Sequence, residues 1–386
     1  MNTSEIRSDC KFNIEIKNAG GLKITVNSKV SAMYGKSIVK QIKEMCKFFE
    51  IKNAHILLED YGALPFGIAA RFEYAVKKLN PEVQKEYLLP SIKENLSNTK
   101  MNRYRRSRLY LPGNQPNYFI NAGLHKPDGI ILDLEDSVAP LEKDAAKLLV
   151  RNALRSVNFY GSERMVRINQ LPTGIEDLKF IIPHSVQVIL IPKCEFAEQV
   201  KEIEDEVNRL KKSFGVKNNI FLMPIIESAL GVINAYKIAL ASKLNCALTI
   251  GLEDYTADIG TQRTEEGKES IFARSMIVNA ARAAGIQAID TVYSDVSNMK
   301  GLRESVLEAK ALGFEGKGCI HPRQINTVHE AFAPTDEEIE KAKKIVEAFN
   351  EAEKKGLGVV SLGSKMIDPP VVKRAMRVLE LVKIIE

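Results

Sequence analysis

Eight short apolar runs between residues 103 and 335, each followed by a segment of helical period, predict a (β/α)8 barrel. A smaller strand–helix pattern before residue 80 predicts a separate α/β unit at the N-terminus. A charged amphipathic segment after residue 335 predicts a C-terminal helical extension.

In the N-terminal unit, residues 1–80, KFNIEI (11–16) and LKITVN (22–27) alternate as strands do, with Gly20-Gly21 between them as a hairpin turn. KSIVKQIKEMCKFFE (36–50) has apolar positions at helical spacing, and HILLED (55–60) reads as a third strand. The segment 63–79 reads as a helix with Pro65 near its start, which gives the order ββαβα. Residues 81–102, centred on the polar stretch 94–102, read as a linker.

The barrel runs are RLYLP (108–112), GIILDLED (129–136), RMVRIN (164–169), VQVILIPK (186–193), IFLMPIIE (220–227), ALTIGLED (247–254), QAIDTV (287–292) and GKGCIH (316–321). Near-continuous apolar strands alternating with helices imply a parallel sheet covered on both faces. An open doubly wound sheet would carry a GxGxxG turn after an early strand, and the sequence has none there. Residues 336–356 read as an amphipathic helix ending at Gly356, followed by a loop and a last helix.

Composition narrows the function. With 45% hydrophobic residues the chain has apolar surface enough for packed cores, which excludes a disordered protein. A formal charge of +6 suits anionic small molecules, and the absence of Trp gives little base-stacking surface for nucleic acid. The sequence shows no long apolar span and no apolar core near the N-terminus of the kind a signal peptide needs. The five cysteines are scattered without a CxxC pair, so a reduced, cytoplasmic setting is expected.

In such a barrel the chemistry gathers at the carboxyl ends of the strands. The predicted ends carry Asp133, Glu135 and Asp136; Arg167 and Asn169; Lys193; Glu227; Glu253 and Asp254; Asp290; and His321. Glu227 and Asp254 end consecutive runs, and neighbouring strands lie about 4.8 Å apart. With oxygen ligands alone, the pair suits Mg2+ or Mn2+; two unrelated helix caps are the alternative. Arg167 is placed either to bind a carboxylate or enolate oxygen or to pair with Asp133 or Glu135, and the two readings are compatible. The segment 103–108 carries four arginines, among them Arg106. It is either a site for a phosphate-bearing ligand or a basic linker.

RRSRLYLPGN (105–114), LDLEDSV (132–138), VRIN (166–169), IPKCE (191–195), PIIESALG (224–231), IGLEDYTADIG (250–260), AIDTVYSD (288–295), GKGCIHPRQI (316–325) and GSKMIDPPVV (363–372) follow in order. Together they resemble the citrate lyase β-subunit family of citryl-, citramalyl- and malyl-thioester lyases over about residues 103–380. The resemblance implies a homotrimer of (β/α)8 barrels in which Glu227 and Asp254 ligate Mg2+ and Arg167 binds the thioester or carboxylate. It places Glu135, with Asp133 and Asp136, near the metal waters and substrate. It makes Asp368, of the KMID motif, an acid or base reaching into a neighbouring subunit's site. The C-terminal extension, 336–386, would thus complete another subunit's site.

The implied activity is a Mg2+-dependent carbon–carbon cleavage of a citryl- or citramalyl-type thioester, on coenzyme A or a carrier. Its products are an acetyl thioester and oxaloacetate or pyruvate. The alternatives are a malyl- or methylmalyl-CoA lyase releasing glyoxylate and a non-catalytic subunit of a lyase complex. SDCKFNIEI (8–16), AMYGKSIVKQIKE (32–44) and ILLEDYGALPFGIAARFEYAV (56–76) resemble the citrate lyase γ subunit, the acyl carrier of that complex. There a serine carries a phosphoribosyl-dephospho-coenzyme A arm. Here Arg7 falls at that position, with Ser8 and Ser4 close by. Either Ser8 or Ser4 takes the arm, or the unit is an unmodified docking or structural domain. A citrate lyase α-like transferase subunit is the partner the resemblance suggests.

Overall fold

The computed structural model describes residues 7–354, 360–362 and 365–385. Ser4, Gly356 and the first two residues of the 363–372 motif lie outside them.

The N-terminal unit runs β1 (Cys10–Ile16), β2 (Leu22–Ser28), α1 (Ser31–Phe48), β3 (Ala54–Asp60) and α2 (Pro65–Leu79), the expected ββαβα order. Pro65 takes the first turn of α2, where its missing N–H costs nothing. The expected hairpin does not form. The sheet order is β1-β3-β2, with β1 antiparallel and β2 parallel to β3. The reason is burial: β3 presents buried Ile56 and Leu58 to the core, whereas β1 and β2 are half-exposed edges. The most apolar strand takes the centre, and Gly20-Gly21, both at positive φ, turns the chain across the gap that β3 fills.

The barrel strands are β4 (Ser107–Pro112), β5 (Gly129–Asp133), β6 (Glu163–Arg167), β7 (Val188–Ile191), β8 (Phe221–Ile226), β9 (Ala247–Ile250), β10 (Gln287–Val292) and β11 (Gly316–Cys319). They close in chain order, β11 pairing with β4, and every pair is parallel. Between and around them come α3 (Pro116–Phe119), α4 (Lys143–Ser156), α5 (Gly174–Ile181), α6 (Ala197–Phe214), α7 (Ala229–Leu240), α8 (Leu252–Asp258), α9 (Ile271–Ala283), α10 (Met299–Leu312) and α11 (Gln324–Phe332). One apolar layer lies between strands and helices, and a second fills the barrel with Ile131, Met165, Leu190, Met223 and Ile225. The tail is α12 (Asp336–Lys354), the short strands β12 (Val360–Leu362) and β13 (Lys365–Ile367), and α13 (Pro369–Ile385). Its own small core joins Ala342 and Ile345 to Val372 and Ala375.

Two expectations about residues 81–108 change. The stretch 94–102 is pinned rather than loose. Buried Asn95 donates through Nδ2 to Leu154 O (2.9 Å) and Val157 O (2.7 Å), and buried Thr99 donates to Glu163. Of the arginine segment, Arg105 and Arg106 lie at the amino ends of the strands, opposite the rim where barrel chemistry sits, whereas Arg108 lines a cavity inside the barrel. Arg105 is fully buried there, held by Glu163, by Gln287 Oε1 (2.8 Å) and by three backbone carbonyls. Arg106 pairs with Asp128 through Nε (2.9 Å) and Nη2 (3.0 Å).

The N-terminal unit docks on the barrel through α2 and α4. Glu73 and Arg151, both fully buried, join by two bonds of 3.0 and 2.7 Å, and Asn152 donates to Phe66 O. Phe66 and Ala70 belong to the same apolar cluster as the helical layer of the barrel. No helix among the described residues is long and apolar enough to cross a membrane. All five cysteines are buried free thiols.

Candidate active site

A cavity of about 320 Å3 opens at the carboxyl ends of the strands. Asp133, Arg167, Glu227 and Asp254 line it, so the rim reading of the sequence brings these four together. A larger groove, about 690 Å3, lies alongside and shares Leu252, Glu253, Asp290 and Thr291.

Glu227 directly follows β8 and is 5% exposed. Ser228 caps α7, accepting from Gly231 N–H (3.1 Å), and this fixes the turn that points Glu227 inward. One carboxylate oxygen, Oε1, accepts the Lys193 N–H at 2.7 Å. The other lies against Gly251, where an added Cβ would come within 2.4 Å of it. Burial pushes the Glu227 carboxyl up to about 8; the Lys193 N–H opposes this and the charge of Asp254 adds to it. Asp254 stands in the first turn of α8, half-buried.

This pair fits Mg2+. A buried carboxylate driven toward protonation beside a second acid is what a hard cation reverses. Among the described residues no cluster of three or more His, Cys, Asp or Glu is arranged to hold a metal by itself. Two protein oxygens and otherwise water or substrate oxygens is a usual arrangement for Mg2+.

Arg167, at the end of β6, is held by Asp133 through Nε and Nη2, both at 2.7 Å, and its Nη1 lies 3.0 Å from Glu135 Oε2. Its face rests on the Tyr110 ring, 5.5 Å from the centroid. The neighbouring carboxylates raise its pKa against the effect of burial. A guanidinium has five N–H groups, so part of the fork remains for a ligand. Asp133 is 1% exposed and also accepts from Glu135 N–H (3.0 Å) and Ser137 N–H (3.3 Å). Its oxygens thus accept four N–H groups of the chain itself, two of them from the Arg167 guanidinium that it holds in place.

Glu135 lies between Arg167 and Lys193, whose Nζ is 2.8 Å from Oε1. Lys193 also reaches exposed Asp136 at 3.2 Å. Sequence reading placed Lys193 at a strand end without a role. In the structure its positive φ of 47° turns the backbone N–H toward Glu227 while its side chain ties Glu135 to Asp136. The spacing role of Gly251 was also missed; its only sequence signal is the glycine directly before Leu252-Glu253-Asp254.

Glu253 and Asp290 also line this cavity, but Arg106, Asp368 and Ser8 are not brought to it within one chain. Arg106 is at the opposite end of the barrel, occupied by Asp128. Asp368 caps α13, its Oδ1 accepting from Val371 N–H (3.1 Å). Ser8 is half-buried at the edge of the N-terminal unit, its N–H on Tyr61 O. The next residue, Asp9, holds Arg71, which donates to Asn114 O (2.9 Å), two residues beyond β4. Ser8 thus stands on the rim side of the barrel.

Replacing Arg167 by Lys is expected to lower kcat on the order of 100-fold, because one ammonium cannot hold both oxygens of Asp133 and still face a ligand. Steady-state kinetics check this; an unchanged kcat would remove Arg167 from the reaction. Gly251→Ala should displace the Glu227 carboxylate and abolish stabilisation by Mg2+ in thermal melts, with the fold intact by circular dichroism. An unaltered Mg2+ response would show that the carboxylate needs no such clearance.

Charged groups gathered at the carboxyl ends of a closed parallel barrel mark the chain as a barrel enzyme. More narrowly, it belongs to the HpcH/HpaI aldolase/citrate lyase family, whose model matches residues 106–322. A model of the malonate decarboxylase delta subunit matches residues 6–79, in keeping with a fused carrier-type domain. The chain is similar to citrate lyase subunit beta of Haemophilus influenzae, 44% identical over 284 residues, covering 73% of this chain and 98% of that one. Human mitochondrial citramalyl-CoA lyase is 33% identical over 290 residues, covering 72% of this chain and 85% of that one. Among solved structures, CitE from Mycobacterium tuberculosis in complex with magnesium, acetoacetate and coenzyme A matches with a TM-score of 0.60 and 28% identity. That match covers 72% of this chain and 98% of the other. The chain is a carbon–carbon lyase.

Proposed function

We propose that this lyase is Mg2+-dependent and splits a citryl- or citramalyl-type thioester into an acetyl thioester and oxaloacetate or pyruvate. The observation that carries the reading is the buried Glu227 carboxylate beside Asp254, with the Asp133-held guanidinium of Arg167 lining the same cavity. Relatives named for citrate lyase and citramalyl-CoA lyase, and a relative bound to magnesium, acetoacetate and coenzyme A, support it.

Glu227 and Asp254 would hold Mg2+, which when bound would supply Lewis-acid polarisation of the carbinol oxygen and so ease loss of its proton to a carboxylate base. The carbon–carbon bond then breaks toward the thioester, giving a ketone and a thioester enolate. Arg167, already fixed by Asp133, offers its N–H groups to the enolate oxygen without reorganisation. The carbinol proton, taken up by a carboxylate base, returns from it to the enolate carbon. We assign that transfer to Asp368 of a neighbouring subunit in a homotrimer, since in its own chain Asp368 is a helix cap. The N-terminal unit would act as carrier, with a phosphoribosyl-dephospho-coenzyme A arm on Ser8 and a citrate lyase α-like transferase as partner.

The deciding experiment is turnover of citryl-, citramalyl- and malyl-CoA by purified protein with Mg2+, identifying the 2-oxo acid released. Oxaloacetate or pyruvate supports the reading; glyoxylate assigns the malyl alternative; no cleavage of any free thioester removes it for coenzyme A substrates.

A pH dependence follows. The metal-free Glu227 carboxyl is raised above its ordinary 4.5 to about 8, so its contribution to stability is full below 4.5 and is lost as pH rises through about 8. Mg2+ needs the ionised form and must displace that proton. The increase in Tm produced by Mg2+ should therefore grow from about pH 6 to pH 8 and then level off. A pH-independent increase would mean that Glu227 does not ligate the metal.

A further inference from the structure

The floor of the active-site cavity holds a charge that no described residue balances. Arg108, the second residue of β4, is 1% exposed and lines the cavity. Its guanidinium meets only neutral groups: Nη1 lies 3.1 Å from Met223 Sδ and Nη2 donates to Thr249 Oγ1 at 2.9 Å. Its Nε is buried without a partner. Asp290, the acid that lines the same cavity lower down, is already matched by Lys317 (2.6 Å) and Arg274 (3.1 and 3.2 Å). The two other arginines buried as deeply among the described residues each meet a carboxylate: Arg105 has Glu163 and Arg151 has Glu73. A buried guanidinium facing only a thioether and a hydroxyl is costly until an anion arrives.

The register says which part of a substrate reaches it. Ile226 pairs with Ile250, so Glu227 is level with Gly251, two residues above Thr249. At a strand rise of about 3.3 Å per residue, the Arg108–Thr249 contact lies roughly 7 Å below the metal carboxylates. The hydroxyacyl thioesters of the proposed reaction differ at one group on the carbinol carbon: CH2–COO− in citryl, CH3 in citramalyl, H in malyl. A substrate chelated at the rim with its thioester leaving through the mouth directs that group downward.

We propose that Arg108 is a specificity-determining residue that receives this second carboxylate, so that the lyase selects substrates whose 2-oxo product is a dicarboxylate. The inference rests on the lyase reading above. A methyl group in that place leaves the guanidinium uncompensated, and sites with buried polar groups reject such ligands strongly.

The test is calorimetric titration, with Mg2+ present, of oxaloacetate and of pyruvate into the full-length protein and its Arg108→Met variant. The wild type should bind oxaloacetate about 100-fold more tightly. Arg108→Met should erase the difference while leaving pyruvate affinity unchanged. Equal affinities in the wild type overturn the proposal without any variant, as does discrimination retained in Arg108→Met. Should that variant fail to fold, Thr249→Val must reduce oxaloacetate affinity alone, and equal loss for both acids counts against the proposal. The two readings fail separately: cleavage of citryl- and citramalyl-CoA with equal kcat/KM overturns only this inference, whereas dicarboxylate preference without cleavage of any thioester overturns only the lyase reading.

Discussion

Glu227→Gln should lose Mg2+-dependent turnover by about 1,000-fold or more, while the metal-free variant melts at a higher temperature than the wild type. The substitution keeps the shape and leaves an amide oxygen to accept the Lys193 N–H, so the change is one of charge. On the proposed mechanism metal binding needs that charge, and a bound metal would supply several kcal/mol of transition-state stabilisation. Stability moves the other way. The buried carboxyl is pushed up to about 8, so above that pH the wild type holds an ionised group in a site that favours the neutral one. Opposite signs for activity and stability are the signature of a functional residue kept against local stability. Steady-state kinetics and thermal melts at about pH 8.5 read both. Retained Mg2+-dependent turnover would sink the metal assignment.

Arg105→Met should destabilise the chain by about 3–5 kcal/mol in chemical denaturation. Its removal strands Glu163, fully buried at the foot of β6, with only the Thr99 hydroxyl, and opens carbonyls from three residues of the 94–106 segment. The paired change Arg105→Met with Glu163→Leu should recover most of that loss, because no uncompensated charge remains. Equal destabilisation in the single and double variants would show that the arginine acts through its backbone contacts alone.

Most of the barrel was legible because its strands announce themselves locally: a run such as VQVILIPK is apolar throughout and ends in a charge. The rim was legible for the same reason, and Asp133, Arg167, Glu227 and Asp254 do share one cavity. What stayed hidden depends on partners distant in sequence. Gly20-Gly21 looks like a hairpin until β3, 34 residues past Gly20, is seen to fill the gap. The two bonds by which Asp133 holds Arg167 join residues 34 positions apart, and neither sequence motif reports the other. Arg106 looks like part of a phosphate site until β4 is seen to begin at the next residue, on the far end of the barrel. Asn95 and Thr99 read as a linker because nothing in their composition reports the carbonyls and the glutamate they bind.

Arg105 and its partners stopper the lower end of the barrel, and that decides the order of traffic through it. With a single gate, a fragment lying beneath the thioester cannot leave before it. On the proposed reaction the acyl thioester should depart first and the 2-oxo acid last. In product-inhibition kinetics the 2-oxo acid should then compete with substrate for the empty enzyme, whereas the acyl thioester should give mixed inhibition.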